Sequence, residues 1–300
     1  MTAWWRTLSD EEREREYSPS SRVDGDIGRF ISAYVELSNE ARAACEASGN
    51  RITEVRYGAA PSQTVDLVAP KLAKELTPLV VFIHGGYWQE LSKRESFFAA
   101  TDCLSHQVAF AAVDYTLAPH ATLDQIVSEC HEAISVLRAE AETHRIDAAQ
   151  IIVCGSSAGA HLAAMIALGS TDGWRPAAVG LVSGVYELEP LLGTSINDAV
   201  QLDLGSAHRN SPLLADLAGF PYALVAHGDN ETKEFKRQSA ELASSLSRVG
   251  VDSTLVEVPG RNHFDVILDL CDGETVLGTE MLRLIDRVRA IGVTPATECD

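Results

Sequence analysis

The sequence predicts an α/β fold with a mostly parallel central sheet and helices on both of its faces. The first observation is a series of short, apolar, β-branched runs, which are typical of strands buried on both sides. These runs are LVVFI (79–83), VAFAAV (108–113), IIVC (151–154), AVGLVSG (178–184), YALVAH (222–227) and STLVEV (253–258). The second observation is that helical patterns alternate with several of the runs, as a parallel sheet requires. These patterns span residues 93–106, 122–144, 158–168 and 234–249, with a last helix around 275–291.

The first 70 residues predict elements of another kind. Residues 8–17 are highly charged and are predicted to form a helix, with Ser9 as its N-cap. Residues 26–47 carry apolar side chains at helical spacing. ITEVRY (52–57) and TVDLVAP (64–70) alternate apolar and polar residues, which predicts half-exposed antiparallel strands at a sheet edge.

The composition favours one large domain. The chain has 300 residues, of which 46% are hydrophobic, and this is enough for one extended core. No stretch rich in Pro, Gly and Ser divides the chain. We therefore expect residues 51–300 to form a single domain, with residues 1–50 as a helical N-terminal extension.

The charge of the chain excludes some classes of partner. The chain has 24 Lys and Arg residues and 43 Asp and Glu residues, which gives a formal net charge of −19. Such a surface repels phosphate backbones and anionic membranes. We therefore expect a small-molecule substrate, no nucleic acid and no membrane. The sequence leaves the oligomeric state open, with a homodimer as one alternative.

The sequence carries neither targeting nor metal signals. Its first 20 residues are acidic and polar, without the apolar core of a secretory signal. The six cysteines are scattered and form no CxxC pair, which fits a reducing compartment. We expect a cytoplasmic protein. No HExxH, GxxxxGK[ST] or clustered Cys/His set is present, so no metal or other cofactor is expected.

A nucleophile motif follows the predicted strand 151–154. Gly155-Ser156-Ser157-Ala158-Gly159 is a G-x-S-x-G sequence between a strand and a helix, which is the context that this motif requires. The glycines are needed because the turn leaves no room for side chains on either side of the serine. The N-terminus of the following helix favours developing negative charge. We therefore predict Ser157 as a nucleophile.

A serine hydroxyl needs a base to accept its proton. In this motif the acid and then the histidine follow the serine along the chain. His263 follows the last predicted strand of the sheet and is predicted as the base. His227 lies too early for that order. His84, beside two glycines, and His161, one turn into the helix, are expected to have structural roles.

The acid should follow the predicted strand 222–227, at the sequence His227-Gly228-Asp229-Asn230-Glu231. It must hold the imidazole in one tautomer and stabilise the imidazolium. Spacing alone leaves both Asp229 and Glu231 open.

Attack by a serine on a carbonyl creates an oxyanion, which preorganised hydrogen-bond donors must stabilise. One expected donor is the N–H of Ala158, directly after the nucleophile. The other donors are expected from a glycine loop after an early strand, here His84-Gly85-Gly86-Tyr87. The amides of Gly86 and Tyr87 are the preferred candidates, with Gly85 as an alternative.

Two aromatic residues, Tyr87 and Trp88, follow these glycines. Next to an oxyanion hole we expect both side chains to form the wall of an acyl or aryl pocket.

With these motifs in place, the chain resembles the arylformamidase (kynurenine formamidase) family of α/β hydrolases. The likeness covers most of the chain. HGGYWQ (84–89) and EFKRQS (234–239) are far more specific than a general esterase signature. It extends to EYSPS (16–20), DYTLAPHATLDQ (114–125), CGSSAGAHLAAM (154–165), LVSGVYELEPL (181–191) and NHFD (262–265).

The resemblance implies an α/β-hydrolase fold and hydrolysis of N-formyl-L-kynurenine to kynurenine and formate. It favours Glu231 as the acid, because family members carry the acid three residues after the glycine that ends the strand. It also implies that residues 1–50 pack over the site as a partial lid. Ser156 replaces a histidine that is frequent in similar proteins. A broad carboxylesterase and a non-catalytic binding protein are the alternatives.

Overall fold

One eight-stranded sheet organises the part of the chain that the computed structural model describes, residues 4–24, 26–71, 73, 75–169 and 172–292. The strands are β1 (Thr53–Arg56), β2 (Thr64–Val68), β3 (Thr77–Ile83), β4 (Ala109–Val113), β5 (Ile146–Ser156), β6 (Ala178–Val182), β7 (Tyr222–Asn230) and β8 (Ser253–Asn262). Their spatial order is β1-β2-β4-β3-β5-β6-β7-β8. The six strands β3 to β8 are parallel, and β1 and β2 are antiparallel to their neighbours.

Helices cover both faces of this sheet among the described residues. They are α1 (Asp10–Tyr17), α2 (Gly28–Ala47), α3 (Ala100–Ser105), α4 (Leu123–Ala139), α5 (Ala158–Ala167), α6 (Asn197–Val200), α7 (Leu204–Arg209), α8 (Lys233–Arg248) and α9 (Val276–Gly292). The buried side chains of α4, α5 and α8 form the core on one face. Those of α2, α3 and α9 form the core on the other face. The predicted α/β architecture is therefore confirmed.

The two antiparallel strands differ from each other in burial. β1 is the edge strand, and only Val55 is buried within it, as the alternation predicts. β2 is buried along its whole length, so the half-exposed strand predicted there is wrong. The polar residue that suggested exposure, Asp66, pairs with Lys93 Nζ at 2.7 Å and with Arg42 Nη1 at 2.7 Å. These ion pairs compensate the burial of its charge.

Several predicted helices have different limits in the structure. α1 begins after Ser9, which forms a capping box with Glu12. The helix predicted at 93–106 is divided into a 3-10 turn, Lys93–Ser96, and α3. Here the N–H of Phe97 donates to Ser38 Oγ at 3.0 Å instead of continuing the helix.

The connection between β6 and β7 has no counterpart in the sequence prediction. It holds the short helices α6 and α7 with two 3-10 turns, Glu189–Gly193 and Pro212–Leu214. Short helical turns lack the long periodic pattern on which the prediction rests. In the described part of the chain, no helix has both the length and the apolarity that a bilayer crossing demands. Residues 1–3 of the predicted N-terminal extension and residues 293–300 of the predicted domain lie outside the described residues.

Candidate active site

Ser157 lies at the tight turn between β5 and α5, with φ 57° and ψ −121°. This backbone conformation is strained for a residue with a side chain. Both flanking glycines are required by close packing. A Cβ at Gly155 would lie 2.4 Å from the backbone of Gly159, and one at Gly159 would lie 1.9 Å from the carbonyl oxygen of Ile83. The turn therefore fixes Ser157 at the N-terminus of α5.

His263 is paired with a carboxylate at the same end of the sheet. Its Nδ1 lies 2.9 Å from Glu231 Oε2, and both side chains are buried. The ring also packs on Phe235, with 4.4 Å between the ring centroids. The loop that carries His263 is closed by Asn262, whose backbone and side-chain N–H groups each donate to the Asp265 carboxylate at 2.7 Å.

The carboxylate of Glu231 is fully engaged. Besides His263, it accepts hydrogen bonds of 2.6 Å from Ser183 Oγ and from the N–H of Gly228. Burial alone would raise the pKa of Glu231, but His263 and these two donors outweigh burial, so its pKa is lowered. Asp229, in contrast, is exposed. The structure therefore joins Glu231, and not Asp229, to the imidazole.

Ser183 was not singled out by the sequence, although it directly follows β6 at the carboxyl edge of the sheet. It has a positive φ of 53° and is completely buried. Its position after a strand was the signal that could have identified it.

Ser157 and His263 line one cavity of about 310 Å³ at this edge of the sheet. No direct hydrogen bond joins the Ser157 hydroxyl to His263 among the described residues, and contacts of this kind often tighten only when substrate binds. A serine and a histidine that face one cavity, with a buried carboxylate paired to the histidine behind it, can perform nucleophilic catalysis on a carbonyl compound.

The glycine loop borders the same cavity. Gly85 packs so closely on the nucleophile turn that a Cβ there would lie 2.9 Å from Ser156 O and 3.2 Å from the Cβ of Ser157. Gly86 has φ +90°, and a Cβ there would lie 2.4 Å from Glu90 O. The N–H groups of Gly86, Tyr87 and Ala158 donate to no protein acceptor among the described residues. These amides are therefore available to a ligand.

His84 stabilises the conformation of this glycine loop. It is buried, its Nδ1 lies 2.9 Å from Gly85 O, and its ring stacks on Tyr115 with 4.2 Å between centroids. The hydroxyl of Tyr115 donates to the carbonyl oxygen of His84 at 3.0 Å. These contacts agree with the structural role expected for His84.

The two aromatic residues after the glycines lie in different places. Tyr87 lines the cavity, as we expected. Trp88 does not: it is fully buried beneath the loop and packs edge-on against His161 at 5.0 Å. The physical reason is that this large ring belongs to the hydrophobic core, where burial of its apolar surface is favourable. His161 is also buried, and its Nε2 lies 2.7 Å from Asn210 O.

Much of the remaining cavity wall comes from the N-terminal region. Tyr17, the last residue of α1, and the following residues Ser18, Pro19 and Ser20 line the cavity. Ile27, Ile31 and Tyr34, in or beside α2, line it as well. Sequence reasoning did not identify these residues singly, since nothing in their local pattern indicates a cavity formed with distant parts of the chain. In the described ranges, no three or more His, Cys, Asp or Glu residues are grouped so that they could hold a metal ion.

Comparisons with known proteins find relatives that align with almost the whole chain. The family model BD-FAE matches residues 65–176. A kynurenine formamidase from Salmo salar is 34% identical, and the alignment covers 94% of this chain and 99% of the relative. A kynurenine formamidase from Danio rerio is 33% identical with the same coverage. One from Drosophila melanogaster is 29% identical over 74% of this chain and 77% of its own length.

Solved structures with the same fold are esterases and related proteins. A protein from Silicibacter sp. TM1040 with a proposed thioesterase activity superposes with a TM-score of 0.73 and 26% identity, covering 86% of this chain and 94% of its own. An esterase from Pyrobaculum calidifontis has a TM-score of 0.68 at 19% identity, covering 91% of this chain and 94% of its own. The second likeness, at its low identity, concerns the fold alone.

Proposed function

The chain belongs to the kynurenine formamidase family, and we propose that it hydrolyses the formamide bond of N-formyl-L-kynurenine or of a related aryl formamide. The products are the free arylamine and formate. The chain is a hydrolase, as its relatives indicate. We further propose Ser157 as the nucleophile, His263 as the base and Glu231 as the acid that orients it.

The observation that carries this proposal is the convergence of three features on one cavity. The strained Ser157 and the Glu231-paired His263 face it together with the unengaged amides of the glycine loop. Each feature has a separate role in acyl transfer: attack, proton transfer and oxyanion stabilisation. A binding protein would need none of them.

In the first step Ser157 Oγ attacks the formyl carbon while His263 takes the hydroxyl proton. The amides of Gly86, Tyr87 and Ala158 hold the oxyanion of the tetrahedral intermediate. His263 then gives its proton to the nitrogen, the C–N bond breaks, and the arylamine leaves. Ser157 now carries the formyl group as an ester.

In the second step water attacks this formyl ester, with His263 again as the base. The second tetrahedral intermediate collapses, returns the proton to Ser157 and releases formate. Glu231 stays ionised throughout, because its lowered pKa keeps it negative beside the imidazolium. The reaction consumes one water per formamide bond and needs no redox partner.

The size of the cavity fits a small substrate. Its volume of about 310 Å³ is near the lower end of the ~300–1,000 Å³ that ligand pockets usually have. The aromatic and apolar side chains of Tyr17, Tyr34, Phe98 and Phe264 line it. Such a wall suits one aromatic ring next to a formyl group, the smallest acyl group.

The experiment is a comparison of kcat/KM for N-formyl-L-kynurenine and p-nitrophenyl acetate, with the wild-type protein and Ser157→Ala. We expect efficient formamide cleavage that disappears in the variant. Strong ester turnover with negligible formamide cleavage would contradict the proposed substrate but not the site.

Strong ester turnover without formamide cleavage would favour a second function, that of a broad carboxylesterase. The similarity to the Silicibacter protein with a proposed thioesterase activity is the observation that supports it, since one fold and site can serve esters, thioesters and amides. Absence of Ser157 labelling by an organophosphate would contradict both catalytic functions.

A further inference from the structure

The side chain of Tyr87 is joined to the N-terminal region. Its hydroxyl donates a hydrogen bond of 2.5 Å to the carbonyl oxygen of Tyr17. Tyr17 is fully buried, and its own hydroxyl donates to the carboxylate of Glu234. That hydroxyl also accepts a bond of 3.1 Å from the side-chain amide of Gln238. Burial, followed by the charge of Glu234, raises the pKa of Tyr17, so Tyr17 keeps the proton that it donates.

The anchor of Tyr17 lies next to the proposed acid. Glu234 is buried and accepts a bond of 2.8 Å from Arg237 Nε. The hydroxyl of Thr232 donates to the carbonyl oxygen of Glu16 at 2.6 Å. Thr232, the residue before α8, directly follows Glu231 in the chain. The same short stretch therefore carries the partner of His263 and a hydrogen bond to the EYSPS segment, residues 16–20.

The backbone of Tyr87 has an unfavourable conformation that contacts of its side chain must stabilise. Gly86, Tyr87 and Trp88 have φ values of +90°, 48° and 61°, so two residues with side chains follow the glycine in the left-handed region. This conformation is unfavourable for side-chain-bearing residues and persists only where the surroundings hold it. Trp88 is held by complete burial. Tyr87 is only partly buried, and its hydroxyl is tied to Tyr17.

We propose that the hydrogen bond from the Tyr87 hydroxyl to the Tyr17 carbonyl positions the oxyanion-binding amides of the glycine loop. Tyr87 is thus a positioning residue through its side chain, in addition to the role of its N–H. The EYSPS segment becomes part of the catalytic framework and does more than cover the cavity. This inference rests on the proposed function, because it takes the Tyr87 amide as an oxyanion donor.

The test is Tyr87→Phe, which removes the hydroxyl and keeps the ring and the backbone N–H. Tyr222→Phe is the matched control. Tyr222 begins β7, at the end of the strand away from the cavity, and the variant removes a hydrogen bond of 2.6 Å between its hydroxyl and that of Thr254 in β8. The readouts are kcat and KM for the formamide and for p-nitrophenyl acetate, and the rate of Ser157 modification by a small organophosphate. Thermal unfolding is measured for both variants.

For Tyr87→Phe we expect kcat and the rate of organophosphate modification to fall together by ~10-fold. This is less than the ~10²–10³-fold loss of a whole oxyanion donor. KM and the melting temperature should stay close to those of the wild type. Tyr222→Phe should leave all kinetic values unchanged. Unchanged kcat and modification rate in Tyr87→Phe would overturn the proposal, as would a rise in KM alone, which would mean that the hydroxyl binds substrate.

Failure of the proposed function is distinguishable from failure of this inference. If the wild type cleaves esters but not formamides, the substrate is wrong, while the ester and organophosphate rates still test the positioning role. A double-mutant cycle adds an independent test. Tyr17→Phe releases the EYSPS segment from Glu234, so its effect on kcat should be less than additive with that of Tyr87→Phe. Full additivity would contradict the coupling.

Discussion

The imidazole of His263 and the carboxylate of Glu231 are joined by a contact of 2.9 Å between Nδ1 and Oε2, although 32 residues separate them in the chain. Glu231 also holds the Ser183 hydroxyl and the Gly228 N–H, so its orientation is fixed from three sides. The pairing leaves Nε2 of His263 as the nitrogen that can exchange a proton with a substrate.

Glu231→Gln should lower kcat for the formamide by at least ~10²-fold, because the amide cannot stabilise the imidazolium. Asp229→Asn is the matched control: it changes an exposed carboxylate two residues earlier and should have little effect. Steady-state measurement of kcat for both variants shows which carboxylate acts as the acid. A larger loss in Asp229→Asn would transfer the acid role to Asp229.

Ser157→Ala should lose at least ~10³-fold in kcat while the protein keeps its fold, because the nucleophile is removed without changing the turn. Ser156→Ala is the neighbouring comparison and should lose much less, since only Ser157 has the strained conformation that presents its hydroxyl. Circular dichroism verifies folding, and kinetics gives the loss. Equal losses in both variants would contradict the assignment of Ser157.

Gly86→Ala should lower kcat by ~10²-fold or more, since a displaced loop amide acts like a lost oxyanion donor. Its Cβ would lie 2.4 Å from the carbonyl oxygen of Glu90, at a φ of +90°. Gly250→Ala is the matched control, because Gly250 also has a positive φ, of +77°, but nothing lies within 4 Å of its Cβ position. Similar kinetics for the two variants would argue against a catalytic role of the glycine loop.

Stability should fall in mild acid because of His161. Burial lowers the pKa of His161 to about 4, although its hydrogen bond to the Asn210 carbonyl opposes the shift. In the unfolded chain a histidine has a pKa of ~6.5. The unfolded state therefore binds more protons below that pH, and stability is lost as the pH falls from ~6.5 toward 4.

The loss attributable to His161 between pH 7 and pH 5 should be about 2 kcal/mol in the free energy of unfolding. Chemical denaturation of the wild type and of His161→Gln at both pH values measures it. The glutamine does not titrate and can still donate to the Asn210 carbonyl, so the variant should lose less stability than the wild type. An identical loss in both proteins would refute the prediction.

Deletion of residues 1–25 should raise KM for the formamide by ~10-fold and widen the range of accepted acyl groups, since binding contacts would be lost. It should also lower kcat at least as much as Tyr87→Phe, because the Tyr17 carbonyl that accepts the Tyr87 hydroxyl bond is removed. Tyr17, Ser18, Pro19 and Ser20 all line the cavity and would be removed. A series of p-nitrophenyl esters of increasing acyl length measures the range. Deletion of residues 1–3 alone is the control. Unchanged kinetics in a folded longer deletion would reject the lid that we predict for residues 1–50.

The sequence by itself determined the elements whose signals are local. The apolar runs that became β3 to β8 are contiguous, and each strand is specified by the side chains within it. The turn at Ser157 is equally local, because the strand, the glycines and the following helix are consecutive in the chain. His263 could be singled out by the order in which strands and motif follow each other.

The tertiary structure alone decided which distant groups meet. It joined His263 to Glu231, which the resemblance had favoured and spacing had left open against Asp229. It placed Trp88 in the core and brought Tyr17 to Glu234, 217 residues away. It also buried β2 by supplying Lys93 and Arg42 to Asp66. Such contacts depend on how the helices and loops pack on the sheet. A short stretch of sequence records its own periodicity and turns but not the partner that packing brings to it.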